Sequence, residues 1–83
     1  MIIKKPADHH EKPVIDLTGP DGNAFVVMAY AKNYAKQLEW TKQEIDDMLN
    51  EMKQTDYKHL IQVFEKYFGD YVTLLTNDDN LLT

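Results

Sequence analysis

The side chains with the clearest potential for metal chemistry are four adjacent residues near the N-terminus, Asp8, His9, His10 and Glu11. Imidazole nitrogens and carboxylate oxygens are common ligands of zinc and other divalent metals. Adjacent residues do not converge on one ion unless a fold forces them together, and nothing in the sequence places His59 beside them. We therefore predict a solvated segment with no metal site, in which the histidines give at most a pH-dependent contact.

A second candidate for chemistry is the turn Gly19–Asn23, which joins a strand-like run to a helix-like pattern. The amide groups of a helix N-terminus can bind an anion, so Asp21, Gly22 and Asn23 define an alternative function, a small-ligand or nucleotide-binding protein. The turn lacks the lysine and hydroxyl residue of a phosphate-binding loop, and Asp21 adds a competing negative charge. The expected role of this turn is a plain strand-to-helix connection.

The composition gives no support for nucleophilic catalysis. The chain has no serine and no cysteine, which are the usual nucleophiles beside a general base. All nine basic residues are lysine, so the arginine that commonly grips phosphate or carboxylate groups is absent. We predict a protein that is not an enzyme and that needs no cofactor.

The charge pattern points to a protein partner. The net charge is −5, which makes free nucleic acid a poor ligand. Between Glu39 and Asp56 six acids and two lysines give a local charge of −4, and Glu44, Asp47 and Glu51 share one face of a predicted helix. This face is either simply solvated or a docking surface for a basic partner, such as a nucleic-acid-binding protein.

Aromatic residues are numerous for a chain of 83 residues, with one tryptophan, five tyrosines and three phenylalanines. A small core cannot cover them all, and partly exposed aromatic rings are common at protein interfaces. We therefore add Trp40 and Tyr34 to the predicted interaction surface. A homodimer or a complex with another protein is expected.

The apolar spacing predicts three helices between two short strands. The first helix should run from Ala24 to Leu38, the second from Lys42 to Lys53 behind a Thr41–Glu44 capping box, and the third from Thr55 to a C-terminal Gly69 with positive φ. Strands are predicted at Val14–Thr18 and Tyr71–Leu75.

This order predicts an α+β fold, a small helix-dominated domain with a β-α-α-α-β order and a two-stranded sheet packed on three helices. The expected organisation is a flexible N-terminal arm over 1–12, one globular domain over 13–76 and an acidic C-terminal tail over 77–83. Met1-Ile2-Ile3 can add a short strand or pack at the edge of the core. The pattern leaves the relative direction of the strands open.

Two segments, GPDGNAFVVMAYAKNYAKQL and DYKHLIQVFEKYFGDYVTL, resemble a family of small uncharacterised accessory proteins of tailed bacteriophages. The resemblance spans Pro13 to Leu75 and brings no catalytic residues. It implies a protein of the host bacterial cytoplasm that binds and modulates a host or phage protein, with counter-defence among the roles. A cytoplasmic location also fits the lack of an apolar run near ~20 residues, and we expect no membrane partner.

Overall fold

Three helices and a three-stranded sheet form the described part of the chain. The computed structural model describes residues 2–4 and 13–82. The order of elements is β1 (Ile2–Lys4), β2 (Val14–Asp16), α1 (Ala24–Gln37), α2 (Lys42–Met52), α3 (Tyr57–Phe68) and β3 (Thr73–Thr76). Short 3-10 helices lie at Pro20–Gly22 and Asp79–Leu82. The predicted α+β class agrees with this architecture.

The sheet differs from the prediction because it has three strands rather than two. Its order is β1-β3-β2, and both neighbours run parallel to β3. Leu74 at the centre of the sheet pairs with Ile2 on one side and with Ile15 on the other. The third strand, β1, lies within the segment predicted as a flexible arm, and residues 5–12 of that arm lie outside the described residues.

The helices begin where polar caps satisfy the free amides of the first turn. The Asn23 side chain accepts a hydrogen bond from the Phe25 amide at 2.8 Å and starts α1. The predicted capping box is present, since Thr41 accepts from the Glu44 amide at 3.1 Å and Glu44 accepts from the Thr41 amide at 2.8 Å. The start of α3 differs from the prediction, because Asp56 is the N-cap.

The end of α3 also differs from the prediction. Gly69 closes the helix with φ of −60°, so it does not use the left-handed region that glycine favours. A side chain there would meet the carbonyl oxygen of Glu65 at 2.5 Å, so lack of space is what requires glycine. Within the predicted acidic tail, the second 3-10 helix buries Leu81 in the core.

The core lies where the inner faces of the helices meet one side of the sheet. Phe64 and Phe68 of α3 are the largest fully buried side chains. Small residues on α1, Ala31 and Ala35, are fully buried and allow close helix packing. Leu74 connects this cluster to the sheet. Phe68, at the aromatic end of this core, also lines a surface groove.

Candidate functional site

An apolar groove lies where the end of α1 and the end of α3 meet the segments leading into β2 and β3. We define the apolar groove by its lining residues, and its volume is about 180 Å³. Leu38 and Tyr71 are 43% and 52% exposed, which is high for large apolar side chains beside a core. The remaining lining residues are Pro13, Tyr34, Gln37 and Phe68.

The end of α1 places Leu38 at this groove. Glu39 follows Leu38 with φ of 63°, and it is the single non-glycine residue with positive φ in the described ranges. The Trp40 amide donates to the Ala35 carbonyl at 3.0 Å, and the Glu39 amide donates to the Lys36 carbonyl at 3.0 Å. These two bonds form a Schellman motif, which reverses the chain and leaves Leu38 exposed while Trp40 returns to the core.

Aromatic rings form the floor of the groove. Tyr34 lies 6.0 Å from Phe68 and 6.4 Å from Phe64, measured between ring centroids. Burial, and then the neighbouring Tyr30, raise the pKa of the Tyr34 hydroxyl above its usual 10.0. The hydroxyl therefore stays protonated at neutral pH, and the groove floor carries no charge.

The sequence neighbours of the groove are acidic. Glu39 directly follows Leu38, and Asp70 directly precedes Tyr71, and both acids are exposed. The groove thus combines an uncharged aromatic floor with two exposed acidic residues that adjoin Leu38 and Tyr71 along the chain. This combination suits a segment that carries both apolar and basic side chains.

The predicted interaction surface on α2 is used in part within the chain. Glu44 is held by Thr41 in the capping box, and these hydrogen bonds lower the pKa of its carboxyl below the usual 4.5. Asp47 Oδ1 accepts a hydrogen bond from the side-chain Nε2 of Gln43 at 2.8 Å. Both carboxylates are exposed, so they add negative potential to this side of the molecule.

Glu51 connects α2 to α3. Its Oε2 accepts a hydrogen bond from the Tyr67 hydroxyl at 3.1 Å, and its Oε1 lies 3.4 Å from Lys66 Nζ. Hydrogen bonding to Glu51, followed by its charge, raises the pKa of Lys66. The Glu51 side chain is only 31% exposed. It is therefore less available to a partner than its position on the predicted acidic face indicates.

Trp40 and Tyr34, the predicted aromatic contacts, lie on the same buried ring. Trp40 stacks on Phe68 at 5.6 Å and meets Tyr67 edge-on at 5.3 Å, again between centroids. Tyr34 reaches Phe68 and lines the apolar groove. The structure thus places both aromatic residues against Phe68. The hydrogen bonds of Glu44 and Asp47 go to Thr41 and Gln43 instead.

The alternative ligand site, Asp21, Gly22 and Asn23, is built into the fold. A Cβ atom on Gly22 would lie 2.1 Å from the carbonyl oxygen of Leu17, so this glycine allows the turn to pack on the chain after β2. The Asn23 side chain already accepts a hydrogen bond from the Phe25 amide as the cap of α1. Asp21 lies 3.5 Å from the Tyr30 hydroxyl. These contacts give the turn an architectural role, and no observation favours a ligand there.

The four adjacent candidate metal ligands, Asp8, His9, His10 and Glu11, lie outside the described residues. In the part of the chain that is described, no group of three or more histidines and acids has a geometry that would hold a metal ion. His59 Nε2 instead lies 2.9 Å from the Glu51 carbonyl oxygen. That oxygen can only accept, so Nε2 carries the proton.

Sequence reasoning missed the apolar groove because no motif marks it. The available signal was weak, since Leu38 continues the apolar stripe of α1 past the last turn and Tyr71 follows a helix-ending glycine.

Among the helices in residues 2–4 and 13–82, none combines the length and the hydrophobicity of a membrane-spanning helix.

Comparison with known proteins found no matching family model, no matching curated protein and no matching solved structure. No residue role can therefore be transferred from a relative. The significance of the apolar groove rests on its own geometry and chemistry.

Proposed function

We propose that this chain is a non-enzymatic protein-binding module whose contact surface is centred on the apolar groove. The observation that carries this proposal is the exposure of Leu38 and Tyr71 in a groove that is also lined by the buried ring of Phe68. Large apolar and aromatic side chains that surround a packed ring are typical anchors of protein interfaces.

The size of the groove favours a side chain over a free small molecule. Pockets for small molecules usually measure roughly 300–1,000 Å³ and enclose most of the ligand. The apolar groove has about 180 Å³. It can therefore receive one or two side chains of a partner, while the surrounding surface supplies the rest of the contact.

The partner we propose is a basic protein segment that presents an apolar side chain. Glu39 and Asp70 are the chain neighbours of Leu38 and Tyr71, and the whole chain carries a net charge of −5. Glu44 and Asp47 on α2 add to the long-range attraction of a basic surface, such as that of a nucleic-acid-binding protein. This arrangement supports fast association and discriminates against acidic partners.

The biological setting is also part of the proposal. The resemblance to accessory proteins of tailed bacteriophages supports a phage-encoded protein that acts in the host bacterial cytoplasm. In this setting the module binds and modulates a host or phage protein, including proteins of bacterial defence. The lack of serine and cysteine nucleophiles supports a role without catalysis.

The proposal is tested by affinity capture from bacterial lysate with three versions of the chain: wild type, Leu38→Asn and Phe25→Asn. Phe25 is the matched control, because it is 80% exposed and lies outside the apolar groove. We expect a basic protein that is captured by wild type and by Phe25→Asn and is lost with Leu38→Asn. Equal capture by all three versions would overturn the proposal.

Native mass spectrometry of the same three proteins tests whether a second copy fills the groove. A monomeric wild type that captures the basic protein supports the proposal. A homodimer that dissociates with Leu38→Asn, but persists with Phe25→Asn, would show that the groove is a self-association surface and would contradict a basic partner there.

A further inference from the structure

A second groove, distinct from the apolar groove, has the opposite charge. It lies between the second half of α1 and the first half of α2, with a volume of about 390 Å³. We call it the lysine groove, since three of its lining residues are Lys32, Lys36 and Lys42. The others are Trp40, Ile45 and Asp46.

The charge of the lysine groove contrasts with that of the chain. Three ammonium groups and the Asp46 carboxylate give a local charge of +2, whereas the whole chain carries −5. The 14 residues of α1 contain no acid that would neutralise its lysines. None of the three lysines forms an ion pair with a described residue. Within residues 2–4 and 13–82, no ion pair neutralises their charges.

Helix stability does not explain this arrangement. Lys42 is the first residue of α2, where the positive end of the helix dipole favours an acid and disfavours a lysine. Lys32 and Lys36 lie four residues apart on α1, where like charges repel. Lys36 alone is placed favourably, in the last turn of its helix. An anion bound between the three lysines would offset this repulsion.

Trp40 supplies the apolar part of the site. Its indole is half-buried and is held by Phe68 and Tyr67. An aromatic side chain fixed in this way offers contact area to a flat ring without a large loss of side-chain freedom. The combination of a +2 charge, a held indole and a volume near 390 Å³ suits a small dianion that carries a ring.

We propose that the lysine groove binds a phosphate monoester dianion, with the phosphate between Lys32, Lys36 and Lys42 and the attached ring against Trp40. Lysine ammonium groups bind phosphate oxygens through charge-assisted hydrogen bonds. The site requires neither the Gly22–Asn23 turn nor a partner in the apolar groove. It is therefore a second binding activity, and its test does not depend on the proposed protein partner.

The experiment uses Trp40 as its reporter, because it is the only tryptophan of the chain. The full-length protein is titrated with phenyl phosphate, inorganic phosphate and phenol at constant ionic strength, while tryptophan fluorescence is recorded. We expect a saturable change with phenyl phosphate, weaker binding of inorganic phosphate and no saturable change with phenol. Binding of phenol as tight as that of phenyl phosphate would overturn the proposal.

Variants then test the three lysines against a matched control. Lys32→Gln, Lys36→Gln and Lys42→Gln should each weaken phenyl phosphate binding roughly threefold or more, since each removes one charge pair. Asp46→Asn should strengthen binding, because it removes the one carboxylate among the described residues that line the groove. Lys53→Gln changes a lysine outside this groove and should bind like wild type. Equal loss with Lys53→Gln, or no loss with any groove variant, would contradict the assignment.

Discussion

The Oε2 atom of Glu51 on α2 accepts a hydrogen bond from the hydroxyl of Tyr67 on α3 at 3.1 Å. An acid that the sequence places on a solvated or docking face therefore links two helices. The carbonyl oxygen of the same residue lies 2.9 Å from His59 Nε2, and its Oε1 lies 3.4 Å from Lys66 Nζ, so Glu51 contacts three residues of α3. The acidic residues of α2 thus include both carboxylates that hold the fold together and carboxylates that are exposed to solvent.

The first prediction concerns this link. Glu51→Ala leaves the half-buried Tyr67 hydroxyl without its acceptor and should lower the free energy of unfolding by about 1 kcal/mol. Glu51→Gln keeps an acceptor oxygen for Tyr67 and should lower the free energy of unfolding by less. The ion pair with the exposed Lys66, which this variant also removes, contributes little because solvent screens it. Asp47→Ala is the control, because its hydrogen bond to Gln43 is exposed and local. Urea unfolding, followed by Trp40 fluorescence, measures the free energy of unfolding of all three variants. Equal values for the three would contradict the prediction.

The second prediction is a dependence of stability on pH at the start of α2. The pKa of Glu44 is lowered in the folded protein by hydrogen bonds from Thr41. A lowered pKa stabilises the fold above the ordinary value of 4.5, and this contribution is lost as the pH falls through the lowered pKa.

Glu44→Gln isolates this contribution, because glutamine keeps the capping box but does not titrate. Relative to Glu44→Gln, wild type should lose stability between about pH 7 and about pH 3. Urea midpoints at the two pH values measure this difference. An unchanged difference across that range would show that the capping box does not lower the pKa.

The helices were predictable because their signals are local. Asn23 and Thr41 are short polar caps that stand directly before apolar patterns with helical spacing, and both act as predicted. Gly69 misled because glycine at a helix end usually has positive φ. In this chain Glu39 adopts positive φ, whereas Gly69 is needed because a Cβ atom there would clash with Glu65.

The sheet and the grooves depend on contacts that sequence spacing does not encode. β1 has three residues and pairs with a strand at the opposite end of the chain, so it gives almost no local signal. The apolar groove joins Leu38 to Tyr71 across the fold, and the lysine groove joins Lys32 to Lys42 across two helices. Both sites exist only after tertiary packing.

The third prediction compares two neighbouring glycines. Gly22→Ala would place a Cβ atom 2.1 Å from the Leu17 carbonyl oxygen and should destabilise the protein by about 2 kcal/mol or more. Gly19→Ala meets no atom within 4 Å and has extended backbone angles, so it should change stability by less than about 1 kcal/mol. Thermal unfolding of the two variants is the measurement. Similar melting temperatures would show that the turn does not pack as described.

The fourth prediction concerns the strained residue between the two grooves. Glu39→Gly should stabilise the protein by about 0.5–1 kcal/mol, because glycine adopts φ of 63° without the steric cost that a side chain brings. Glu39→Ala removes the same charge but keeps a Cβ atom, so it should give no such gain. Chemical denaturation separates the two variants. An equal gain with alanine would assign the effect to charge rather than to backbone strain.

The most direct test of the account is the affinity of the captured basic partner for purified wild type, Leu38→Asn and Phe25→Asn, measured by isothermal titration calorimetry. Leu38→Asn removes an interface anchor, which should cost about 1.4 kcal/mol of binding free energy and so raise the Kd about tenfold. Phe25→Asn should keep the wild-type Kd, because it removes exposed apolar area outside the apolar groove. A Kd that is unchanged by Leu38→Asn, or raised equally by both substitutions, would contradict a binding surface centred on the groove.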